Sequence, residues 1–456
     1  MCHIRAARVV LHLDRGIERR CPIPTDHTDH TTTDHRPRER AAARQPSARS
    51  AGIGDEMTST RPPYPLPRRL PDEPPPELAE LRADTPVVQV DVPALGPAWL
   101  VTRYEEVRQV ISDPRFGPLF PGVRRESDPD GPDGDTSDPS DFLFVKDGAE
   151  HARLRRLVSG VFTARQVAGL RDRVVQLAVE LVDRMAAGQR PADFVEAVAA
   201  PLPMAVISDL LGVPAADRTS FRAWSDAVLS VSAHTPEEVG QAAAELARYV
   251  AELVRAKREH PGSDLLSALI AARDEDQDRL TDRELHAMAN TLLIAGYDPT
   301  VVALSRGLWV LLGDRDRYAM LAGDPARVPA AVEEILRHQA GDGDLMRVAK
   351  EDIQIDGTTI HCGQPVIASL PGANRDPGHF PDPDRFDMSR VDNPHLAFGH
   401  GPHYCLGAAL SRLELQVVFD LLVRRLPGLR LAVEPAQVRW SSGLLTRGPT
   451  ALPVTW

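Results

Sequence analysis

The chain is poor in the features that mark secreted and membrane proteins. Its 456 residues include four cysteines, which are far apart and form no C-x-x-C pair. No secreted disulfide framework is therefore predicted, and a reducing cytoplasm is the expected compartment. The longest apolar run near the start, residues 9–13, is far below the roughly 20 residues that a bilayer-spanning helix needs. Neither a membrane anchor nor a signal peptide is predicted.

Positive charge is also scarce. Lys and Arg number 53 against 65 Asp and Glu, which gives a formal net charge of −12. Because binding to nucleic acid depends on clustered Lys and Arg, no nucleic-acid partner is predicted. Small molecules and protein partners remain.

Composition divides the chain near residue 57. Residues 1–56 carry scattered Arg and a His/Asp/Thr tract, with little apolar periodicity. Such a segment cannot bury enough surface to offset the entropy of ordering it. We expect it to be a disordered extension without a catalytic role, upstream of a translation start at Met57. Residues 57–456 are expected to form a single catalytic domain.

Helical patterns dominate this domain. Apolar residues recur at three- and four-residue spacing over 104–111, 170–187, 237–260, 282–312 and 329–338. Short strand patterns occur at 87–92, 99–102, 353–355, 358–361 and 365–369, and Asp356-Gly357 marks a tight hairpin. The predicted fold class is mainly α with small β-sheets. The Asp/Gly/Pro/Ser-rich stretch 118–141 is interpreted as a long functional or mobile loop.

The most informative segment is the glycine-rich loop at residues 398–407, which leads into an apolar-periodic helix from Ala408. Cys405 lies just before this helix, among unpaired backbone N–H groups and the positive end of the dipole. These are expected to lower the thiol pKa and to leave an anion able to hold iron. A lone cysteine is more often a buried core thiol, but this setting favours a thiolate ligand.

This loop resembles the haem-binding loop of the cytochrome P450 superfamily, with Phe398, His403, Cys405 and Gly407 at the family's spacing. The resemblance implies that Cys405 is the proximal ligand of haem b, whose thiolate pushes electron density onto iron to favour O–O cleavage. It also implies that Phe398 and Gly407 help to bind the haem. In the implied fold, the haem lies between the oxygen-activating helix and the helix that follows the Cys loop.

A second motif is His151 with Arg155, four residues apart and therefore on one face of a helix, where paired donors can grip a carboxylate. The resemblance implies that both bind a haem propionate. It assigns further propionate donors to the positions of Arg347 and His403. The motifs together extend the resemblance over about residues 60–456.

A third motif is Glu334 with Arg337, three residues apart on a predicted helix. Taken alone it is a common surface pair worth a few tenths of a kcal/mol. The resemblance implies instead a buried structural network behind the haem, completed by Arg385 in the segment 380–386. The fifth motif, residues 373–377, precedes that segment.

The fourth motif, residues 292–300, resembles the family's oxygen-activating helix, and it departs from the family pattern. The resemblance implies that Ala295 and Gly296 let the backbone pass close to the haem and that Asp298 is the acid of an acid–threonine pair for proton delivery. Pro299 occupies the usual threonine position, and Thr300 comes one residue late.

Proline at position 299 has a predictable effect on this helix. It lacks an N–H for the carbonyl of Ala295 and its ring clashes with that carbonyl, so a kink is predicted there. The freed carbonyl could hold a water, and protons would pass through Asp298, aided by Thr300 or by the substrate. An ordinary kinked core helix would instead leave Asp298 buried and unpaired, at an energetic cost.

The resemblance implies an enzyme that activates dioxygen with electrons from a ferredoxin and its NAD(P)H-dependent reductase. Its substrate would be a small organic molecule of natural-product biosynthesis. Positive charge at Arg153, Arg156 and Arg412 is expected to dock the acidic ferredoxin.

Two alternatives stay open at this stage. Radical coupling of an aromatic peptide or cyclodipeptide is one, favoured by Pro299. A haem protein that binds a ligand without turnover is the other, suggested by the missing threonine. The substrate itself is not legible in the sequence, because it depends on variable segments: 118–141, 211–231, 341–346 and 444–446.

Overall fold

The computed structural model describes residues 61–456, apart from 71–72, 94, 121–140, 230–232, 277–278, 340–342 and 443–445. The predictions for residues 1–56 and Met57, and most of the loop predicted at 118–141, lie outside the described residues.

Helices occupy the middle of the chain, as the apolar periodicity predicts. In chain order they are α1 Glu77–Asp84, α2 Tyr104–Ser112, α3 Gly148–Ser159, α4 Ala164–Gly169, α5 Arg171–Ala187, α6 Pro201–Leu211, α7 Arg218–Val228, α8 Pro236–Glu259, α9 Leu265–Glu275, α10 Asp282–Leu312, α11 Arg315–Gly323, α12 Val328–His338, α13 Leu370–Ala373 and α14 Ala408–Arg425. A π-helical turn, Val195–Ala199, precedes α6.

Strands lie towards the two ends of the described chain. They are β1 Val87–Val92, β2 Gly96–Val101, β3 Phe116–Pro118, β4 Ala192–Asp193, β5 Leu345–Ala349, β6 Ile353–Ile355, β7 Thr358–Ile360, β8 Pro365–Ala368, β9 Arg430–Leu431 and β10 Pro453–Thr455. They form a five-stranded sheet in the order β1-β2-β8-β5-β3, a three-stranded sheet in the order β4-β10-β9, and the β6-β7 hairpin. Only β2 and β8 pair in parallel within these sheets, joining strands from opposite ends of the described chain.

The predicted elements are confirmed in kind and in place. The five periodic segments are α2, α5, α8, α10 and α12, and the five strand patterns are β1, β2, β6, β7 and β8. At the β6-β7 turn, Asp356 and Gly357 both have positive φ, 46° and 75°, as a two-residue hairpin turn requires. The fold class, mainly α with small sheets, is confirmed.

The long helix α10 is the central element of the core. A capping box fixes its start, because Thr281 accepts from the Glu284 N–H and the Glu284 carboxylate accepts from the Thr281 N–H. It packs against α6, α8, α12 and α14. It is long and apolar enough to cross a membrane, but 56% of its most apolar window is buried inside the fold, as expected of a core helix.

Two glycines allow α10 to approach its neighbours closely. A Cβ on Gly296 would lie 2.7 Å from Ile207 of α6, and one on Gly307 would lie 2.8 Å from Phe419 of α14. Both distances are shorter than van der Waals contact. Gly296 is therefore required for packing against α6, a constraint that the sequence does not reveal.

Candidate active site

The loop that carries Cys405 is fixed by its own backbone. The N–H of Cys405 donates to the carbonyl of Phe398 over 2.8 Å, and Gly399 and Gly401 have φ of +71° and +74°, a conformation that favours glycine. A Cβ on Gly401 would lie 2.8 Å from Ser112 at the end of α2. The glycines of the motif thus allow both the turn and its contact with α2.

The thiol of Cys405 is open to solvent on one side, while burial against the surrounding loop raises its pKa above the ordinary value. The Gly407 N–H lowers this pKa, as do the charges of Arg155 and Arg412, but they do so less than desolvation raises it. The prediction of a lowered thiol pKa is therefore wrong for the protein alone. The groups that lower it are present, and desolvation outweighs them.

Helix α3 brings the first propionate candidates to the Cys loop. His151 is buried, and its ring stacks on that of His403 at 4.0 Å between centroids. Arg155, one turn later, donates from Nη2 to the carbonyl of Tyr404 over 2.5 Å. The structure thus brings together His151, Arg155 and His403 with the residue next to Cys405, as the resemblance implies.

The donors of this group fit an anionic cofactor. The Nε2 atom of His403 is buried and has no hydrogen-bond partner among the described residues. Arg347 of β5 is also buried, and desolvation lowers its pKa to about 10. Desolvation and then the neighbouring His403 and Arg155 lower the pKa of His151 to about 4. The carboxylate of Asp147 lies beside this group, with Oδ1 3.9 Å from His403 Nε2, and it raises the pKa of both His151 and Arg347. Buried donors call for acceptors, and the two propionates of a haem would add to the one carboxylate of Asp147.

Two of the three arginines predicted to dock a ferredoxin are already paired. Arg153 donates to the buried carboxylate of Glu284. Arg412 donates to Glu333 from Nε over 2.8 Å. The two side chains remain 34% and 29% exposed, so pairing reduces their contribution to docking, and the docking prediction stays a prediction. Arg156 is exposed and has no partner among the described residues.

The Glu334–Arg337 pair is fully buried, as the resemblance implies. Arg337 donates to both carboxylate oxygens, over 2.8 Å from Nε and 2.7 Å from Nη2, and both side chains have 0% exposure. Its other donors reach the carbonyls of Asn374, Pro383 and Arg385. This pair of residues on α12, three positions apart, therefore binds the helix to the segment that leads to the Cys loop.

The third member of this network is Arg390, and the assignment of Arg385 is wrong. The side chain of Arg385 is exposed, and only its backbone carbonyl contacts Arg337. Arg390 instead places Nε 3.4 Å from Glu334 Oε2 and is 8% exposed. It donates to the carbonyls of Pro381 and Asp382. The irregular path of residues 381–390 turns Arg390, rather than Arg385, inward.

One face of α10 is left open next to its buried core face. Ala295 and Pro299 are exposed, whereas Leu292, Leu293 and Tyr297 are buried. Residues four apart lie on the same side of a helix, so Ala295 and Pro299 form one strip that the described residues leave exposed. The α-helix is assigned without interruption through Pro299, and the predicted bend stays a prediction.

Asp298 is not unpaired, because it accepts a short hydrogen bond from the hydroxyl of Thr446. Burial raises the pKa of Asp298, and the bond from Thr446 lowers it in part. Thr446 belongs to the segment 444–446 that the sequence assigns to substrate selection, of which 444–445 lie outside the described residues. Nothing in the sequence indicates this contact, since the two residues are 148 positions apart.

Thr300 does not replace the missing threonine. It is buried, and its hydroxyl lies 3.5 Å from Ser411 Oγ of α14, whereas the open strip of the helix carries Ala295 and Pro299. One residue corresponds to about 100° of helix rotation, so the hydroxyl at position 300 is carried away from that strip. The suggestion that Thr300 aids proton delivery is therefore wrong.

A second carboxylate lies near Asp298. Asp226 of α7 has its pKa raised to about 6, first by burial and then by the charge of Asp298, while Arg222 lowers it. Arg222 itself is held by Glu196, over 2.8 and 2.5 Å, and its Nε is 3.9 Å from Asp226. The sequence reading missed Asp226, because only the packing of α7 on α10 brings the two acids together.

Glu414 of α14 is the deepest acid among the described residues that the site does not use. It is 1% exposed, its Oε2 has no partner within the described chain, and burial raises its pKa well above the ordinary value. The folded state therefore binds this proton more tightly than the unfolded state. Stability must then fall as pH rises above the unfolded pKa, by at most about 1.4 kcal/mol per pH unit.

Replacing Glu414 by Gln is expected to remove this pH dependence. The stability of the variant relative to the parent should increase from pH 5.5 to pH 7.5, measured as urea unfolding midpoints at matched haem loading. Glu259→Gln, at an exposed position at the end of α8, is the control and should follow the parent. Parallel curves for Glu414→Gln and the parent would show that Glu414 is ionised in the folded protein.

Comparisons with known proteins agree with this geometry. The family model described as Cytochrome P450 matches residues 203–323 and 327–437. Nocardicin C N-oxygenase from Nocardia uniformis subsp. tsuyamanensis is 45% identical over 383 residues, which is 84% of this chain and 95% of that protein. Mycinamicin IV hydroxylase/epoxidase from Micromonospora griseorubida is 45% identical over 381 residues, 83% and 94% of the two chains.

The fold is shared with solved structures as well. The putative thioether synthase SgvP, involved in the tailoring step of griseoviridin, superposes with a TM-score of 0.80 at 44% identity, over 87% of this chain and 100% of that one. The likeness spans nearly the whole length of each relative. The chain is therefore a cytochrome P450, a haem-thiolate monooxygenase related to the actinobacterial enzymes of natural-product biosynthesis.

Proposed function

We propose that this chain binds haem b through Cys405 and inserts oxygen into a small organic substrate of a natural-product pathway in the cytoplasm. The observation that carries the proposal is the exposed Cys405 beside two arginines and two histidines, one of which has a buried ring nitrogen without a hydrogen-bond partner in the described chain. His151, Arg155, Arg347 and His403 would hold the propionates. The bound haem supplies the activation of dioxygen at its iron.

The electrons are proposed to come from a ferredoxin and its NAD(P)H-dependent reductase. A one-electron donor must approach the face of the Cys loop, where Tyr404 is 38% exposed. Exposed Arg156 of α3 supplies the unpaired positive charge on that side. Because Arg153 and Arg412 are paired, we expect the attraction to rest on fewer charges than the sequence predicts, and to be correspondingly less sensitive to salt.

The distal side is proposed to handle protons through Asp298. Burial raises its pKa, which favours a carboxyl group able to donate as well as accept. Its partner Thr446 can both donate to it and accept from a neighbour. The carbonyl of Ala295, which has no N–H donor at Pro299, provides an acceptor for a water at the open strip of α10.

Oxygen insertion is preferred to radical coupling and to ligand binding without turnover. The relatives are named as an N-oxygenase and a hydroxylase/epoxidase, and the acid of the distal site is retained here despite Pro299. The direct test is reconstitution of the purified holoprotein with a ferredoxin, its reductase and NADPH. A thiolate-type spectrum of the reduced carbon-monoxide complex and NADPH consumption dependent on ferredoxin are expected. NADPH consumption that does not depend on ferredoxin would contradict the assigned partner.

Asp298→Asn is expected to lower turnover in this assay by about 10²–10⁴, the range for losing a positioned proton-transfer group, with little change in substrate affinity. The amide can keep a hydrogen bond to Thr446 but cannot carry the proton. Thr446→Val, which removes the partner alone, should have a smaller effect. Unchanged turnover in Asp298→Asn would remove this residue from the proton path.

Pro299→Thr tests the departure from the family pattern. A threonine restores the backbone N–H to Ala295 and places a hydroxyl at the open strip. If protons pass through a water at the Ala295 carbonyl, the variant should change the fraction of consumed NADPH that is used to form product. An unchanged product spectrum and coupling ratio would make Pro299 a feature of packing only.

A further inference from the structure

A cavity of about 970 Å³ lies at the end of α10 between α1, α11 and residues 371–386. Its lining contains neither Cys405, nor the propionate candidates, nor Asp298. Cavities of roughly 300–1,000 Å³ are the usual size for small-molecule sites. It includes Arg375 and Arg385, two residues of the sequence motifs that the haem site does not use.

Positive charge is in excess around this cavity, in contrast to the acidic chain as a whole. Among the described lining residues, five arginines face three acids: Arg82, Arg315, Arg317, Arg375 and Arg385 against Glu73, Asp314 and Asp384. Two of the arginines, Arg82 and Arg375, are 8% and 7% exposed. Guanidinium groups are rarely buried without a negative partner, so the concentration of charge on this wall needs explaining.

The acids of the cavity neutralise only part of this charge. Arg317 pairs with Asp314 at 3.4 Å, and Arg375 pairs with Asp384 at 3.0 Å. Arg315 and Arg385 are exposed, and within the described chain neither guanidinium group makes an ion pair or a hydrogen bond, although the charge of Arg385 lowers the pKa of nearby Asp387. The guanidinium groups available to bind a ligand are therefore those of Arg315 and Arg385, at the mouth of the cavity.

The electrostatic environment of the inner wall of the cavity is also positive. His338 at the end of α12 has its pKa lowered well below the ordinary value, first by burial and then by Arg375, with Arg317 contributing. Apolar surface lies beside these charges. The guanidinium of Arg317 stacks over the ring of Phe386 at 5.0 Å, and Trp309 completes that side. The cavity thus combines donors for an anion with rings for an apolar body.

We infer that this cavity binds a small organic oxyanion, with its carboxylate or phosphate between Arg315 and Arg385 and its apolar part against Trp309 and Phe386. Guanidinium groups bind both kinds of oxyanion through paired N–H donors. The site is separate from the oxidation site and would be filled independently of the substrate. The side chain of Arg385 is exposed, which excludes it from the buried Glu334–Arg337 network. The same exposure leaves its guanidinium accessible to a ligand in this cavity.

The test uses the haem-loaded full chain with three probes of similar shape: 1-naphthyl phosphate, 1-naphthoate and neutral 1-naphthol. Titration calorimetry should show saturable binding of the two anions that weakens with added salt, and none of 1-naphthol at the same concentrations. Arg315→Ala and Arg385→Ala should each weaken binding at least about tenfold, as expected when a hydrogen bond to a charged group is lost. The haem absorption spectrum should not change on binding.

Arg156→Ala is the matched control, because Arg156 is also an exposed arginine without a partner in the described chain. It should bind both anions like the parent. Tighter binding of the phosphate or of the carboxylate would identify the head group that the site prefers. Equal loss in Arg156→Ala and Arg385→Ala would overturn the inference, as would binding that shifts the haem spectrum, since the probe would then occupy the distal cavity. Absence of saturable binding would also overturn it.

Discussion

Arg337→Ala is expected to yield little or no folded, haem-bearing protein. The guanidinium makes five hydrogen bonds, two to Glu334 and three to backbone carbonyls, and the pair is completely buried. Its loss leaves three carbonyls without a donor and leaves the Glu334 charge with only the more distant Arg390, 3.4 Å away, and two neutral donors. Breaking a buried ion pair costs about 3–5 kcal/mol, which is a large part of the stability of a typical domain. The measurement is soluble yield together with haem content per polypeptide.

Two variants on the neighbouring segment separate the network from its surroundings. Arg390→Ala removes the second cation near Glu334, and it should lower the midpoint of unfolding and the haem content. Arg385→Ala removes only an exposed side chain and keeps the carbonyl that Arg337 uses, so it should fold and bind haem like the parent. Normal haem incorporation in Arg337→Ala, or equal damage from Arg385→Ala and Arg390→Ala, would contradict the arrangement described here.

The difference between Arg385 and Arg390 shows where reasoning from the sequence ends. Glu334 and Arg337 lie on one helix, so their spacing fixes their mutual geometry and the pair is predictable. Residues 381–390 follow no helix or strand period, and nothing in their order indicates which arginine turns inward. Only the packing of Phe380 and the carbonyls around Arg390 decides it.

The same distinction applies to the distal site. Asp298 and Pro299 could be identified from a local pattern on α10. The hydroxyl of Thr446, the carboxylate of Asp226 and the contact of Gly296 with Ile207 depend on elements that meet only after folding. The predicted role of Thr300 in proton delivery is also wrong for a tertiary reason. Thr300 is buried against α14, and this contact forms only in the folded core. Local spacing thus predicts which residues carry the chemistry, and tertiary contacts determine their partners.

The thiol pKa of Cys405 depends both on its neighbours in the sequence and on contacts that form only after folding. The Gly407 N–H and the nearby arginines lower its pKa as the sequence indicates, and desolvation by the folded loop acts in the opposite direction with greater effect. A metal ion removes this penalty, since it replaces the proton as the partner of the sulfur. In the protein alone, desolvation thus favours the protonated thiol.

Cys405→His is accordingly expected to abolish both the thiolate-type carbon-monoxide spectrum and oxidation of substrate, while the fold is retained. The Cys405 sulfur accepts a hydrogen bond from the Gly407 N–H, but the loop is held chiefly by the backbone bond from the Cys405 N–H to the carbonyl of Phe398, which any residue can make. Imidazole can still ligate iron, but it lacks the electron donation that favours O–O cleavage.

Absorption of the reduced carbon-monoxide complex and turnover with the ferredoxin pair are the measurements. Tyr404→Phe, one residue earlier and partly exposed, is the control and should keep the parent spectrum, because among the described residues its hydroxyl bonds to Arg412 alone. A parent-like spectrum in Cys405→His would show that another residue holds the iron.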